Sequence, residues 1–224
     1  MREVVLDTET TGLDPASGHR IVEIGCVELR NHVSTGRTFQ CYLNPERDMP
    51  IEAERVHGLS TAFLKDKPRF AEIVAELVAF IEESPLVIHN ASFDLGFLNM
   101  ELARCGRPTL GFGRAIDTVA LARRHIPPGA PASLDALCRR FSIDNTAREL
   151  HGALLDAKLL AEVYLSLLGG RQATLALDRS AVAEATSTTL AIQARAPRVH
   201  APSAEEQAAH AAFIATIPNA LWND

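Results

Sequence analysis

Val4-Val5-Leu6-Asp7-Thr8-Glu9-Thr10 is the stretch that decides the fold. The apolar run Val4-Val5-Leu6 reads as a buried strand. Asp7 and Glu9 follow at a spacing of two, and side chains two apart on a strand share a face. The strand therefore delivers two carboxylates, side by side, to the edge of a core. Close, partly desolvated anions repel strongly, so one takes a proton or a cation lies between them. Oxygen ligands on one face favour a hard divalent ion such as Mg²⁺ or Mn²⁺. The plainer alternative is a strand that ends in solvated acids before the turn Thr11-Gly12-Leu13-Asp14-Pro15. Asp-x-Glu alone does not choose between them; further carboxylates arriving at the same place would.

The whole chain sets the bounds. Its 224 residues, 47% hydrophobic, suffice for one sizeable core plus an appendage. No apolar run approaches the roughly 18 residues of a membrane helix. Met1-Arg2-Glu3 leads straight into a strand, which predicts no secretory signal. Cys26, Cys41, Cys105 and Cys138 form no C-x-x-C pair, which predicts a reduced, cytoplasmic protein without structural zinc. The net charge of −6 argues against a broad basic surface for nucleic acid. It leaves open a nucleic-acid enzyme that uses metals and a partner.

Working outward from the first strand, residues 21–29 and 38–43 read as strands, giving a three-strand, antiparallel meander. Gly18 and residues 31–36 supply its turns. Residues 52–58 read as a short helix or turn broken by Gly58, with Ser60 capping the next piece. His57 there reads as a hydrogen-bonded surface histidine. Phe70, Ile73, Val74, Leu77, Val78 and Ile81 fall at helical spacing. Leu86-Val87-Ile88 is a second buried strand, followed by a helix that Ser92 caps and that runs to about Arg104. Asp94 lies in its first turn, where an acid is either an ordinary helix-start residue or part of a site. Asp117-Thr118 starts a helix to about His125, and Ser133 opens another. From Ala153 to Leu168 the pattern is helical again. His151 and Asp156 are five apart, about 140° on a helix, so both cannot face one site from within it. Gly152 places His151 on the preceding loop, with Asp156 projecting from the second turn among leucines.

Asp7, Glu9, Asp94, Asp156 and His151 come from three separate segments, and D-x-E, N-x-x-x-D and H-x-x-x-x-D are specific as a set. Here the chain resembles the DnaQ-like DEDDh 3′→5′ exonucleases, and within them the proofreading subunits of bacterial DNA polymerase III. Leu6-Asp7-Thr8-Glu9-Thr10-Thr11-Gly12, Val56-His57-Gly58, the run from Val87 to Asp94, the run from Ser133 to Cys138, and the run from His151 to Ala157 carry the resemblance. It covers residues 1 to about 170 nearly continuously. It implies an α/β, ribonuclease H-like fold: a mixed five-stranded sheet flanked by helices, with a flexible C-terminal tail. It implies two divalent ions, Mg²⁺ or Mn²⁺, held by Asp7, Glu9, Asp94 and Asp156. By that resemblance Asp7 would serve both ions, Glu9 and Asp156 would complete one site, and Asp94 would support the other. His151 takes the proton of the attacking water. Thr10, together with residues aligned at Glu52 and His57, approaches the terminal nucleotide, as do the acids Asp7, Glu9 and Asp156.

Composition changes after Gly169-Gly170. Residues 171–202 are rich in alanine, serine and threonine and read as a flexible linker. Within it, the run from Gln172 to Leu177 resembles a short sliding-clamp motif lacking the terminal aromatic; the alternative is a cap on the preceding helix. Residues 203–224 open with the capping box Ser203-Ala204-Glu205-Glu206. A helix follows with His210, Phe213, Ile214 and Ile217 on one stripe, then Leu221-Trp222. Either this helix folds back on the domain or it docks on a partner. The resemblance implies the latter, the partner being the polymerase catalytic (alpha) subunit. The expected function is proofreading of DNA 3′ ends, with release of nucleoside 5′-monophosphates. The competing readings are a free-standing DEDDh exonuclease acting on RNA or single-stranded DNA, and a non-catalytic adaptor with vestigial acids.

Overall fold

A computed structural model describes residues 1–146, 148, 150–169 and 201–218. They divide into one compact unit within Met1–Leu175 and another within Ala176–Asp224. In the first unit, β1 (Arg2–Thr10), β2 (Ile21–Arg30) and β3 (Val33–Tyr42) form the expected antiparallel meander. β4 (Leu86–Ile88) and β5 (Ala115–Asp117) extend it in parallel on the other side of β1. The sheet is five-stranded, in the order β3-β2-β1-β4-β5.

The β2–β3 turn is tighter than residues 31–36. It is made by Asn31 and His32 alone, at φ 50° and 67°. Two positive φ values give the twist that joins adjacent antiparallel strands. Gly36, read as turn punctuation, instead sits inside β3 at φ 83°, where the β2–β3 register shifts between Val27 and Leu29. It marks a bulge.

β1 is covered on both faces, which is why its apolar run does not alternate. Val4 and Leu6 pack with α3 (Phe70–Ile81) and α4 (Ala91–Arg104). Val5 packs on the opposite face with α6 (Leu134–Phe141) and α7 (Ala153–Leu167). On α3 the buried stripe takes Phe80 rather than Val78, which is 39% exposed. Val78 lies about 100° around the helix from Leu77, off the face that meets the sheet. Asn90, not Ser92, stands at the start of α4, in the left-handed region at φ 65°, and Ser92 Oγ donates to its Oδ1 at 3.2 Å. Asp117 caps α5 (Thr118–Ala122), which stops three residues short of His125.

Between the meander and α3 lie α1 (Ile51–His57), closed by Gly58 at φ 74°, and α2 (Thr61–Leu64), capped by Ser60. The start of α7 rests directly on β2. A Cβ on Gly25 would come within 2.2 Å of the Ala153 carbonyl carbon and the Leu154 nitrogen. Glu23 Oε2 accepts from the Ala153 backbone N–H at 3.1 Å, filling the place of a helix cap. Gly25 pairs with Asp7 across the β1–β2 ladder. The first turn of α7 is thereby brought to the end of β1.

In the second unit, α8 (Ala204–Ala215) opens with the expected capping box. Ser203 Oγ accepts from Glu206 N at 3.2 Å, and Glu206 Oε2 accepts from Ser203 N at 2.8 Å. The run from Gln172 to Leu177, Leu221-Trp222, and the linker up to residue 200 lie outside the described residues. Among the described residues no helix is long and apolar enough to cross a membrane.

Candidate active site

Three chain ends meet at one edge of the sheet. β1 brings Asp7 and Glu9, the first turn of α4 brings Asp94, and the first turn of α7 brings Asp156. Glu9, Asp94 and Asp156 are buried, and Asp7 is half-buried. Thr8 points to the opposite face of β1 and donates from Oγ1 to Asp94 Oδ1 at 2.7 Å, fastening α4 to the strand. His151 is exposed on the loop before α7, as its spacing requires. Asp156 sits in the first helical turn rather than the second, because the helix begins at Ala153. One ligand atom each from Glu9, His151 and Asp156 lies within 4.8 Å of the other two.

The electrostatics of the acids divide sharply. Burial, reinforced by the nearby Asp94, Glu9 and Asp156 charges, holds Asp7 well above the usual carboxylate range. Burial, with Asp156, Glu23 and Asp94 close by, pushes Glu9 up to about 8. Asp94 is raised to about 7 by burial, against the Thr8 hydrogen bond. Asp156 goes the other way: burial raises it, but the hydrogen bonds and charge of Arg148 outweigh that and hold it below its ordinary value.

Arg148 was not among the residues read from the sequence. Its Nε and Nη2 donate to Asp156 Oδ1 and Oδ2, both at 2.6 Å, and its Nη1 donates to Asp135 Oδ1 at 2.6 Å. His151 Nδ1 lies 2.8 Å from Arg148 Nη2 and 3.3 Å from Asp156 Oδ2. A neutral imidazole nitrogen accepts or donates, not both. The shorter contact, to a guanidinium that only donates, makes Nδ1 the acceptor and leaves the proton on Nε2. Nothing in apolar periodicity signals a loop arginine; the only cue is that it lies three residues before the motif histidine.

A cleft of about 540 Å³ opens beside Glu9, with Thr10, Glu52, His57 and Phe93 in its walls. The three residues expected near a terminal nucleotide thus share one cavity with Glu9 of the acid cluster. His57 is not the surface histidine that its local sequence suggests. It is 6% exposed, its Nδ1 accepts from Leu59 N at 3.0 Å, and burial lowers its pKa. Gly58 turns the chain back so that the ring folds inward.

Four carboxylates and one imidazole, crowded enough to repel and with no donor among the described residues on Asp7 or Glu9, fit a hard divalent cation as a counter-charge. Comparison with known proteins agrees. The family model described as Exonuclease matches residues 4–164. The chain is 52% identical over 223 residues to the DNA polymerase III subunit epsilon of Rickettsia conorii, covering 97% of this chain and 96% of that one. Exonuclease X in complex with 5′ overhanging duplex DNA is 28% identical, with a TM-score of 0.56 over 74% of this chain and 90% of that one. The nuclease domain of 3′hExo, a DEDDh family member bound to rAMP, shares the fold at 19% identity. Its TM-score is 0.65, over 75% of this chain and 92% of that one.

Proposed function

The chain belongs to the exonuclease family, and from that premise we propose that it removes mismatched nucleotides from DNA 3′ ends as the proofreading subunit of a replicative polymerase. The observation that carries this reading is the convergence of Asp7, Glu9, Asp94 and Asp156 from β1, α4 and α7 beside His151. The family implies divalent ions, and these four acids are the ones that would hold two of them, Mg²⁺ or Mn²⁺. Such ions supply neutralisation of the phosphodiester and a nucleophilic water at neutral pH. The chain's own groups do the rest. His151, exposed on its loop, takes the water's proton. Thr10, Glu52 and His57 position the terminal nucleotide in the cleft that they line. The product is a nucleoside 5′-monophosphate.

The epsilon name of its relatives supports a polymerase context. The C-terminal segment from residue 203 would dock on the polymerase catalytic subunit, and the run from Gln172 to Leu177 would touch the sliding clamp weakly. Tethering fits the acidic chain, because a nuclease with little electrostatic grip on DNA gains most from a raised local concentration of 3′ ends.

Single-turnover hydrolysis of a mismatched primer-template tests the proposal. His151→Ala slows the chemical step by roughly 10²–10⁴ while divalent ions still bind. An unchanged rate rules out the role given to His151. Deleting residues 203–224 abolishes capture of the polymerase catalytic subunit and leaves hydrolysis of single strands intact. Retained capture moves the docking surface to another part of the chain, and no capture by the full chain points instead to the free-standing exonuclease.

A further inference from the structure

Among the described residues, Arg148 is the cation seated on the acid cluster, and its side chain is only 7% exposed. Its fork takes both oxygens of Asp156. A bidentate arginine–carboxylate pair is strong because it uses both oxygens in one plane. Those oxygens are also what a divalent ion needs from Asp156, so the carboxylate cannot serve both fully. Asp135, 42% exposed in the first turn of α6 and outside the acid set, gives Arg148 a second carboxylate at 2.6 Å. The guanidinium therefore has a place to stay when Asp156 is withdrawn. The same Nη2 that holds Asp156 also sits 2.8 Å from His151 Nδ1.

We propose that Arg148 is a positioning residue that competes with the divalent ion for Asp156 and, until it lets go, keeps His151 Nδ1 engaged. The inference rests on Asp156 being a metal ligand. Arg148 keeps that carboxylate aimed, whereas among the described residues no arginine reaches Asp7, Glu9 or Asp94. When the guanidinium retreats toward Asp135, it leaves Asp156 and the imidazole together. Metal loading and release of the base are thus one event.

Calorimetric titration of the full chain with Mn²⁺ at pH 8 tests this, alongside melting in EDTA and in Mn²⁺. Arg148→Gln is expected to bind Mn²⁺ about tenfold more tightly, the scale of one lost charge-assisted hydrogen bond. It should melt lower in EDTA and gain more from Mn²⁺ than the parent. Arg148→Lys, with charge but no fork, should fall between. Asp135→Asn removes the second carboxylate and should weaken Mn²⁺ binding, the opposite direction, which keeps the test alive if Arg148→Gln does not fold. In EDTA, imidazole ¹⁵N spectra should show the Nε2–H form of His151 in the parent and lose that preference in Arg148→Gln. Equal Mn²⁺ affinity in parent and variants, with only melting lowered, overturns the inference and leaves Arg148 a structural tie. A parent that binds no Mn²⁺ overturns the metal-ligand reading itself.

Discussion

β1 carries buried acids at both ends, and the two ends are built differently. At the start, Glu3 is fully buried, accepts from Tyr164 Oη at 2.7 Å and lies 2.8 Å from His32 Nδ1. The other buried glutamates outside the acid set follow the same rule. Glu28 is held by Arg2 and Arg37, Glu101 by two bonds from Arg20, and Glu23 by Gln40 and the start of α7. At the far end, among the described residues, no hydrogen bond reaches the side chain of Asp7 or Glu9. Burial alone does not mark a site in this protein. Burial without donors does, because only an outside cation or a proton can relieve it.

The contrast breaks most visibly at Asp7. Asp7→Asn should cut exonuclease activity by about 10³-fold, the scale of removing one preorganised charge contact, yet melt no lower in EDTA, since one of several repelling charges is gone. A large fall in melting temperature would make Asp7 a structural acid like Glu3. Tyr164→Phe is the reverse case. It leaves Glu3 short of its donor and should cost about 1–3 kcal/mol in denaturant unfolding, with kcat unchanged.

Next in size is a pH effect. Glu9 and Asp94 have folded-state pKa values raised to about 8 and about 7. The folded protein thus holds protons that the unfolded chain has lost. Their contribution to stability is complete below about pH 4 and drains away as pH rises toward 8. Melting in EDTA should therefore fall from pH 5 to pH 8, and Mn²⁺ should flatten that slope. A melting temperature that rises over this range contradicts the raised values. The smallest effect is expected at Thr8. Thr8→Val removes a donor from Asp94 and should lower activity only several-fold, with the loss greatest on the acid side of neutrality. A variant with an unshifted pH–rate profile would show that Thr8 only packs.

Much of this was legible in the sequence, and the remainder has physical reasons. The first strand and the meander could be read from apolar runs and turns, whereas the five motif residues were expected as a set from the family resemblance. β5 could not, since Ala115-Ile116-Asp117 is half-buried and forms no apolar run like that of β4. Arg148 and Glu23 act through contacts distant from any pattern, one from a loop and one from an apolar strand. His57 looked exposed because a seven-residue helix gives too little periodicity to show which side faces in. Val78 was counted in a stripe that in fact continues from Leu77 to Phe80 and Ile81.

Gly25 has a consequence for variation. The spacing between two acid-bearing segments is set there by an atom that the chain lacks. Any substituent at that point strikes main chain rather than a side chain that could swing away. The helix could recede only by taking Asp156 with it. Neighbouring positions of β2 have compensating exchanges open to them; this one has no neutral route, so drift can redecorate the outside of the molecule while the gap between its two halves of chemistry stays frozen.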